Sequence, residues 1–181
     1  MLDICLESDG ACAVLVTSAE RAQDMRHAPV YVMSGANGGG ANQGDDLFDC
    51  LRWEDHSENY SAYIAHDLWG GAGIGPEDID VAEIYDCFTY SVVAQLEGLG
   101  FCKPGEGPNF VQGGRIARDG ALPLNTHGGL LSEAYIHGLN HVVEAVDQLR
   151  GDAGPRQVPG AEIALTTAGA MTVGSALVLR N

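Results

Sequence analysis

Two tyrosines at turn-bearing positions carry the chemical interest of this 181-residue chain. Tyr85 stands in the run VAEIYDCF (81–88), directly before Asp86, and Tyr135 stands in NTHGGLLSEAYIHG (125–138), just after a Gly-Gly turn. A free phenol ionises near about pH 10, so it works as a base only beside a donor or charge that stabilises its anion. The two can meet over a shared pocket; the plainer reading is that each tyrosine only packs. Asp86 can orient Tyr85 or cap a turn, and His127, just before Gly128, can be a general acid or a turn donor. A third stretch, TTAGAMTVGSAL (166–177), has the same loop character. In α/β sheets, ligands favour the loops beyond strand C-termini, where all three stretches are expected. Asn125, Gly128, Gly129 and Gly169 are therefore the substrate-binding candidates.

Other reactive side chains offer less. His137 and His141 have i, i+4 spacing, which suits a metal on a helix, but no third ligand or HExxH accompanies them. They are expected at the surface or at an interface. The five cysteines contain no CxxC and no zinc spacing with histidine, so free buried thiols are expected and a metal is not. Cys87 is assigned to the core, pointing away from any pocket that Asp86 enters.

The elements that must position these groups follow from periodicity. ACAVLVT (11–17) reads as a short strand, and Ser18 as the N-cap of a helix over SAERAQDM. APVYVMSGANGG (28–39) reads as a strand running into a glycine loop. A helix is expected from Ser61 to Leu68 or beyond, then the buried strand VAEIYDCF with Tyr85 and Asp86 at its end. TYSVVAQLEGLGF has apolar residues at helical spacing. The glycine-rich segment 103–125 reads as a long functional loop. A helix from about Ser132 to Arg150 would end at the C-cap Gly151. EIALTTAG and SALVLR form a closing antiparallel hairpin. The sum is an α/β domain, a mixed sheet with helices on both faces. ACAVLVT would leave an unpaired edge unless more sheet exists elsewhere.

Composition narrows the function classes. The chain is 45% hydrophobic and 19% charged, enough for a real core in one domain or in one piece of something larger. A net charge of −16 argues against nucleic acid and against an anionic membrane surface. A phosphate-rich ligand would need local arginines or positive charge from another chain. The start, MLDICLESDGACAVLV, is broken by Asp3, Glu7 and Asp9 and lacks a basic n-region, so neither a signal peptide nor a membrane span is expected. A cytoplasmic location is expected.

The motifs also carry a resemblance. EIYDCF resembles the thiolase segment with an Asn-Glu-Ala-Phe or His-Asp-Cys-Phe core. NTHGGLLSEAYIHG resembles the thiolase Asn-x-x-Gly-Gly turn that precedes a Gly-His-Pro motif. SDGACAVLVTSAERA and TTAGAMTVGSALVLR match in order and spacing, so the resemblance, to the sterol-carrier/lipid-transfer branch, covers essentially the whole chain. Tyr135 stands where the Gly-His-Pro histidine would be, Tyr85 replaces the Asn or His of the first motif, and AGAMTVG holds no cysteine. Claisen condensation or thiolysis is therefore expected to be disabled.

The tyrosine pair is similar to that of thiolase-like aldolases of bacterial steroid side-chain degradation. The resemblance implies retro-aldol cleavage of a β-hydroxy acyl-CoA to a ketone and a shorter acyl-CoA. It implies Tyr85, Tyr135, His127 and Asp86 as catalytic residues and no cofactor beyond the CoA thioester substrate. It further implies an OB-fold/zinc-ribbon protein partner and a homodimer of the thiolase core. Residues 1–27 correspond to the last strand and helix of a thiolase N-terminal half and 28–181 to the C-terminal domain, leaving the rest of the first half to a missing segment or a second chain. Two rival readings stand beside it: a non-catalytic acyl-CoA-binding scaffold, and a degenerate acetyl-CoA acyltransferase using a cysteine of the other half.

Overall fold

The computed structural model describes residues 3–44 and 49–181. Among the described residues four strands form one mixed sheet: β1 (Tyr31–Gly39), β2 (Val81–Glu83), β3 (Ile163–Gly169) and β4 (Val173–Arg180), in the order β1-β4-β3-β2. β4 runs antiparallel to both β1 and β3, and β2 runs parallel to β3. The helices are α1 (Ala19–Ala22), α2 (Tyr60–Ala72), α3 (Thr89–Gly98), the single turns α4 (Gly107–Phe110) and α5 (Gly129–Ser132), and α6 (Leu139–Arg150).

Both sheet faces are covered, as expected from the pattern. On one face Tyr60, Ile64 and Leu68 of α2 and Val92 and Leu96 of α3 pack on Ala82, Leu165, Ala176 and Val178. On the other, Ala145 and Leu149 of α6 pack on Val81, Ala164 and Leu179. Adjacent strand residues thus enter opposite cores, which is why β3 reads as a nearly unbroken buried run rather than as an alternation. Local signals set the helix ends. Asn59 caps α2 by accepting from the Ser61 N–H at 2.9 Å, and Ser18 caps α1. Gly151, in the left-handed conformation at φ 79°, closes α6.

Four expectations change. Residues 11–17 form no strand: they pair with no strand among the described residues, and Leu15 and Val16 are more than 80% exposed. A β-branched run becomes a strand only when a ladder partner satisfies its backbone. β2 stops at Glu83, so Tyr85 and Asp86 lie beyond the strand. The helix expected from Ser132 is broken: α5 ends there and α6 begins at Leu139. Between them His137 and Gly138 hold φ values of 68° and 89°, which no right-handed helix accommodates, and Tyr135 sits in this break. Finally, the glycine-rich segment is packed: Phe110, Val111 and Leu122 join the core, and the Arg115 guanidinium lies 4.7 Å over the Phe110 ring. Among the described residues no helix is long and apolar enough to cross a membrane.

Candidate active site

The chain beyond β2 is held by side chains in place of a ladder. Asn125 Oδ1 accepts the Ile84 N–H at 2.7 Å and its Nδ2 donates to the Ile84 carbonyl at 2.9 Å, while its own N–H donates to Ala82. This side chain is a surrogate strand, held at a φ of 49° that asparagine tolerates better than most residues. Its amide is committed to Ile84, so Asn125 builds the site's wall. One residue on, the Tyr85 N–H donates to Thr167 Oγ1 at 2.8 Å.

Asp86 turns the other way. Its carboxylate accepts from the Leu130 N–H at 2.7 Å and the Leu131 N–H at 3.4 Å, at the start of α5, and lies 3.5 Å from His141 Nε2. A side chain at Gly129 would collide with this carboxylate, which is the reason for glycine there. Burial opposes ionisation, but His141 and the two amides outweigh it and hold the carboxyl below its ordinary range. Asp86 thereby anchors the Gly-Gly turn. Gly128 closes that turn by donating its N–H to the Asn125 carbonyl at 2.8 Å.

The turn and the helix break bring the two phenols together. Tyr85 Oη and Tyr135 Oη are 2.9 Å apart, with the rings edge to face. Tyr85 is 3% exposed and Tyr135 half-buried, so Tyr135 is the outer member. Burial, and then the Tyr135 hydroxyl, push the Tyr85 phenol above its ordinary value. The Tyr135 carbonyl accepts from the Ser8 N–H at 3.3 Å, and the His137 ring stacks on the Tyr135 ring. Cys87 is buried, as expected, but it packs in the same cluster as Tyr85 and Leu130 and does not point away from the site. Burial raises its thiol, which leaves it a poor nucleophile. Gly169 ends β3 opposite Gly174, and its neighbours Ala168 and Ala170 line the Tyr85 cluster.

A second polar layer lies behind the turn. His127, its side chain 4% exposed, has Nδ1 3.0 Å from Glu83 Oε2 and Nε2 3.5 Å from Glu133 Oε2. Burial disfavours its cation, yet the bond and charge of Glu83, with Glu133 and Glu144 behind, raise its pKa overall. Thr126 bridges Glu83 and Glu144, and Glu144 is paired with Arg156 at 2.7 Å. His141 is fully buried, not at the surface, with its ring 5.1 Å from that of His127 and 6.4 Å from that of Tyr85. Its pairing with His137 fails because His137 precedes α6. Among the described residues no group of His, Cys, Asp and Glu is arranged to hold a metal ion.

The structure brings together Tyr85, Tyr135 and the turn Asn125–Gly129, with Asp86 and His127 behind the turn. The sequence reading passed over Glu83, Gln95 and Thr167 and placed His141 at the surface or an interface. Glu83 had a legible signal: a carboxylate inside a strand covered on both faces requires a buried partner. Chemically, paired phenols share protons, since an anion on either oxygen is hydrogen-bonded by the other. That suits proton transfer to and from a hydroxyl or an enolate without a covalent intermediate.

Known proteins show the same arrangement of chain. The chain is 42% identical to a Mycobacterium tuberculosis protein named 17-hydroxy-3-oxo-4-pregnene-20-carboxyl-CoA lyase, over 99% of this chain and 46% of that protein. It is 41% identical to a Thermomonospora curvata steroid side-chain-cleaving aldolase, over 99% of this chain and 45% of that one. Its fold superposes on a solved Ltp2-ChsH2(DUF35) aldolase with a TM-score of 0.94 and 39% identity, covering 99% of this chain and 47% of that one. The chain thus spans about half the length of the curated relatives it matches. Residues 53–181, from the approach to α2 through the closing hairpin and including both tyrosines, match the thiolase C-terminal domain-like family, and the chain belongs to it.

Proposed function

We propose that this chain supplies the proton-handling half of a thiolase-fold aldolase, which cleaves a β-hydroxy acyl-CoA to a ketone and a shorter acyl-CoA. The observation that carries this reading is the 2.9 Å contact between Tyr85 and Tyr135. In the reaction the singly ionised phenol pair, its phenolate hydrogen-bonded by the other hydroxyl, takes the proton of the β-hydroxyl. The Cα–Cβ electron pair passes to the thioester as an enolate while the β-carbon leaves as a ketone carbonyl. A phenol then returns a proton to the α-carbon, so no acyl-enzyme cysteine is needed. Tyr135, the more exposed phenol, meets the substrate, and Tyr85, whose burial favours its protonated form, donates to it from behind. His127 lies behind the Gly-Gly turn, where its protonated form favours negative charge developing on the thioester oxygen.

A steroid side-chain thioester is the proposed substrate, on the names of the two relatives. Residues 1–27 are proposed to complete the part of the fold that lies outside the matched half, and the exposed Leu15 and Val16 are consistent with such packing. With a charge of −16 here, the CoA phosphates are proposed to be held by another segment or chain. A partner of OB-fold/zinc-ribbon type and a dimeric thiolase core are proposed with it; the two-component name of the solved aldolase supports a second chain. The test is to mix the protein, purified with any partner that accompanies it, with a β-hydroxy steroid acyl-CoA. Release of ketone and shorter acyl-CoA, lost in Tyr135→Phe, is expected. Binding without cleavage would favour the acyl-CoA scaffold.

A further inference from the structure

We infer that Thr167 and Gln95 are positioning residues for Tyr85, replacing the strand partner that its backbone lacks; the inference rests on reading Tyr85 as a proton-handling group. Because β2 ends at Glu83, neither the N–H nor the C=O of Tyr85 enters the ladder with β3. Thr167 Oγ1 accepts the Tyr85 N–H at 2.8 Å, and Gln95 Nε2 donates to the Tyr85 carbonyl at 2.8 Å. Each backbone group of Tyr85 is thus gripped by a different element, β3 from one side and α3 from the other.

The two grips are wired together. Thr167 gives its single hydroxyl proton to Gln95 Oε1 at 2.7 Å, which leaves its oxygen to accept from Tyr85. Gln95 Oε1 also accepts from the Tyr60 hydroxyl at 2.8 Å, and Nε2 donates a second bond to the Ser91 carbonyl at 2.8 Å. All four bonding positions of the amide are filled, and only one orientation works: the flipped amide would set its oxygen against two carbonyls. Gln95 and Tyr60 are fully buried and Thr167 is 2% exposed, so no water competes for these contacts. Burial raises the Tyr60 phenol, which stays a neutral donor.

The consequence falls at the far end of the ring. The phenol oxygen of Tyr85 must stay 2.9 Å from that of Tyr135, and a small tilt of the Tyr85 peptide is magnified over the length of the side chain. Gly138 completes the clamp, since a side chain there would crowd the Tyr85 ring. A satisfied buried network has one low-energy arrangement, which is what a proton-sharing pair requires of its support.

The test uses the protein with any co-purifying partner, labelled with 3-fluorotyrosine at its six tyrosines. The Tyr85 fluorine resonance is assigned by its disappearance in Tyr85→Phe. Thr167→Val is expected to move that resonance and to lower kcat about 100-fold with KM unchanged, as a misplaced reacting group does. Thr167→Ser, which keeps the hydroxyl, is expected to restore both. Should Thr167→Val fail to fold, Gln95→Met, of similar length and setting no oxygen against the two carbonyls, removes the donation to Tyr85, and the Tyr85 resonance and kcat are read the same way. An unmoved Tyr85 resonance, or a loss that Thr167→Ser does not restore, would overturn the inference. If the unsubstituted protein cleaves nothing while Thr167→Val still moves the resonance and Thr167→Ser restores it, the aldolase reading falls and the positioning role stands.

Discussion

The closing hairpin and the stretch from Ile84 to Asp86 lie against each other and are held by different means. β3 and β4 are zipped by a continuous backbone ladder from Ile163 opposite Arg180 to Gly169 opposite Gly174. Ile84 and Tyr85 have no such ladder; Asn125, Thr167 and Gln95 take its place. A ladder is made of groups that every residue carries, so it tolerates changes of side chain. A side-chain scaffold is specific: each support is one residue deep, and a single substitution removes it. The hairpin holds together with little regard to the side chains it carries, and the scaffold gives the site its geometry at the cost of tolerance.

The sharpest way to break this comparison is to leave the scaffold and remove the chemistry. Tyr135→Phe and Tyr85→Phe should each lower cleavage by about 10²- to 10⁴-fold, the usual contribution of a general acid or base, with circular dichroism and thermal midpoint nearly unchanged. Full activity in either variant would end the role of the pair. Next comes the turn: Asp86→Ala leaves the His141 ring and the α5 amides without their buried anion. It should cost about 3–5 kcal/mol in urea unfolding. Asn125→Ala removes both contacts to Ile84 and should cost about 1–3 kcal/mol. If it proved neutral, the surrogate-strand account would be wrong.

Proton linkage gives a smaller effect with a definite sign. The carboxyls of Asp86 and Glu144 lie below their ordinary values of 3.8 and 4.5. Their contribution is fully present above those values and is lost as pH falls through the lowered ones. His127 lies above its ordinary value of 6.5, so its contribution is full below that value and is lost as pH rises through the raised one. Thermal midpoints should therefore be highest between roughly pH 4.5 and 6.5, and His127→Gln should flatten the alkaline side alone. The least effect belongs to the ladder: Val173→Thr, at an exposed hairpin position, should change stability by no more than about 0.5 kcal/mol. A loss there as large as that of Asn125→Ala would mean that the hairpin is no more tolerant than the scaffold.

Much of this was legible in the residues. β1, α2, α3 and the hairpin follow from periodicity and caps, because hydrophobic spacing and capping chemistry act over a few residues. The tyrosine pair stood out by its placement in two turn-bearing motifs. Other features were not legible for a common reason. His137 and His141 share helical spacing, yet a positive φ at His137 puts one outside α6 and the other in the core. ACAVLVT has strand composition, but a strand exists only with a partner to pair it. Glu83, Gln95 and Thr167 are ordinary residues until the fold shows what each one touches.

The order of the main elements, the two-sided burial of the sheet, the glycine turn and the presence of a phenol in each of two turn-bearing motifs were determined by the sequence itself. These depend on residue type and short-range spacing. That the phenols lie 2.9 Å apart, that Asp86 anchors a turn, and that His141 is buried beside it were decided by the tertiary structure alone. Such contacts join residues more than forty positions apart, and which of them form depends on how α3, α5, α6 and the hairpin pack around the end of β2.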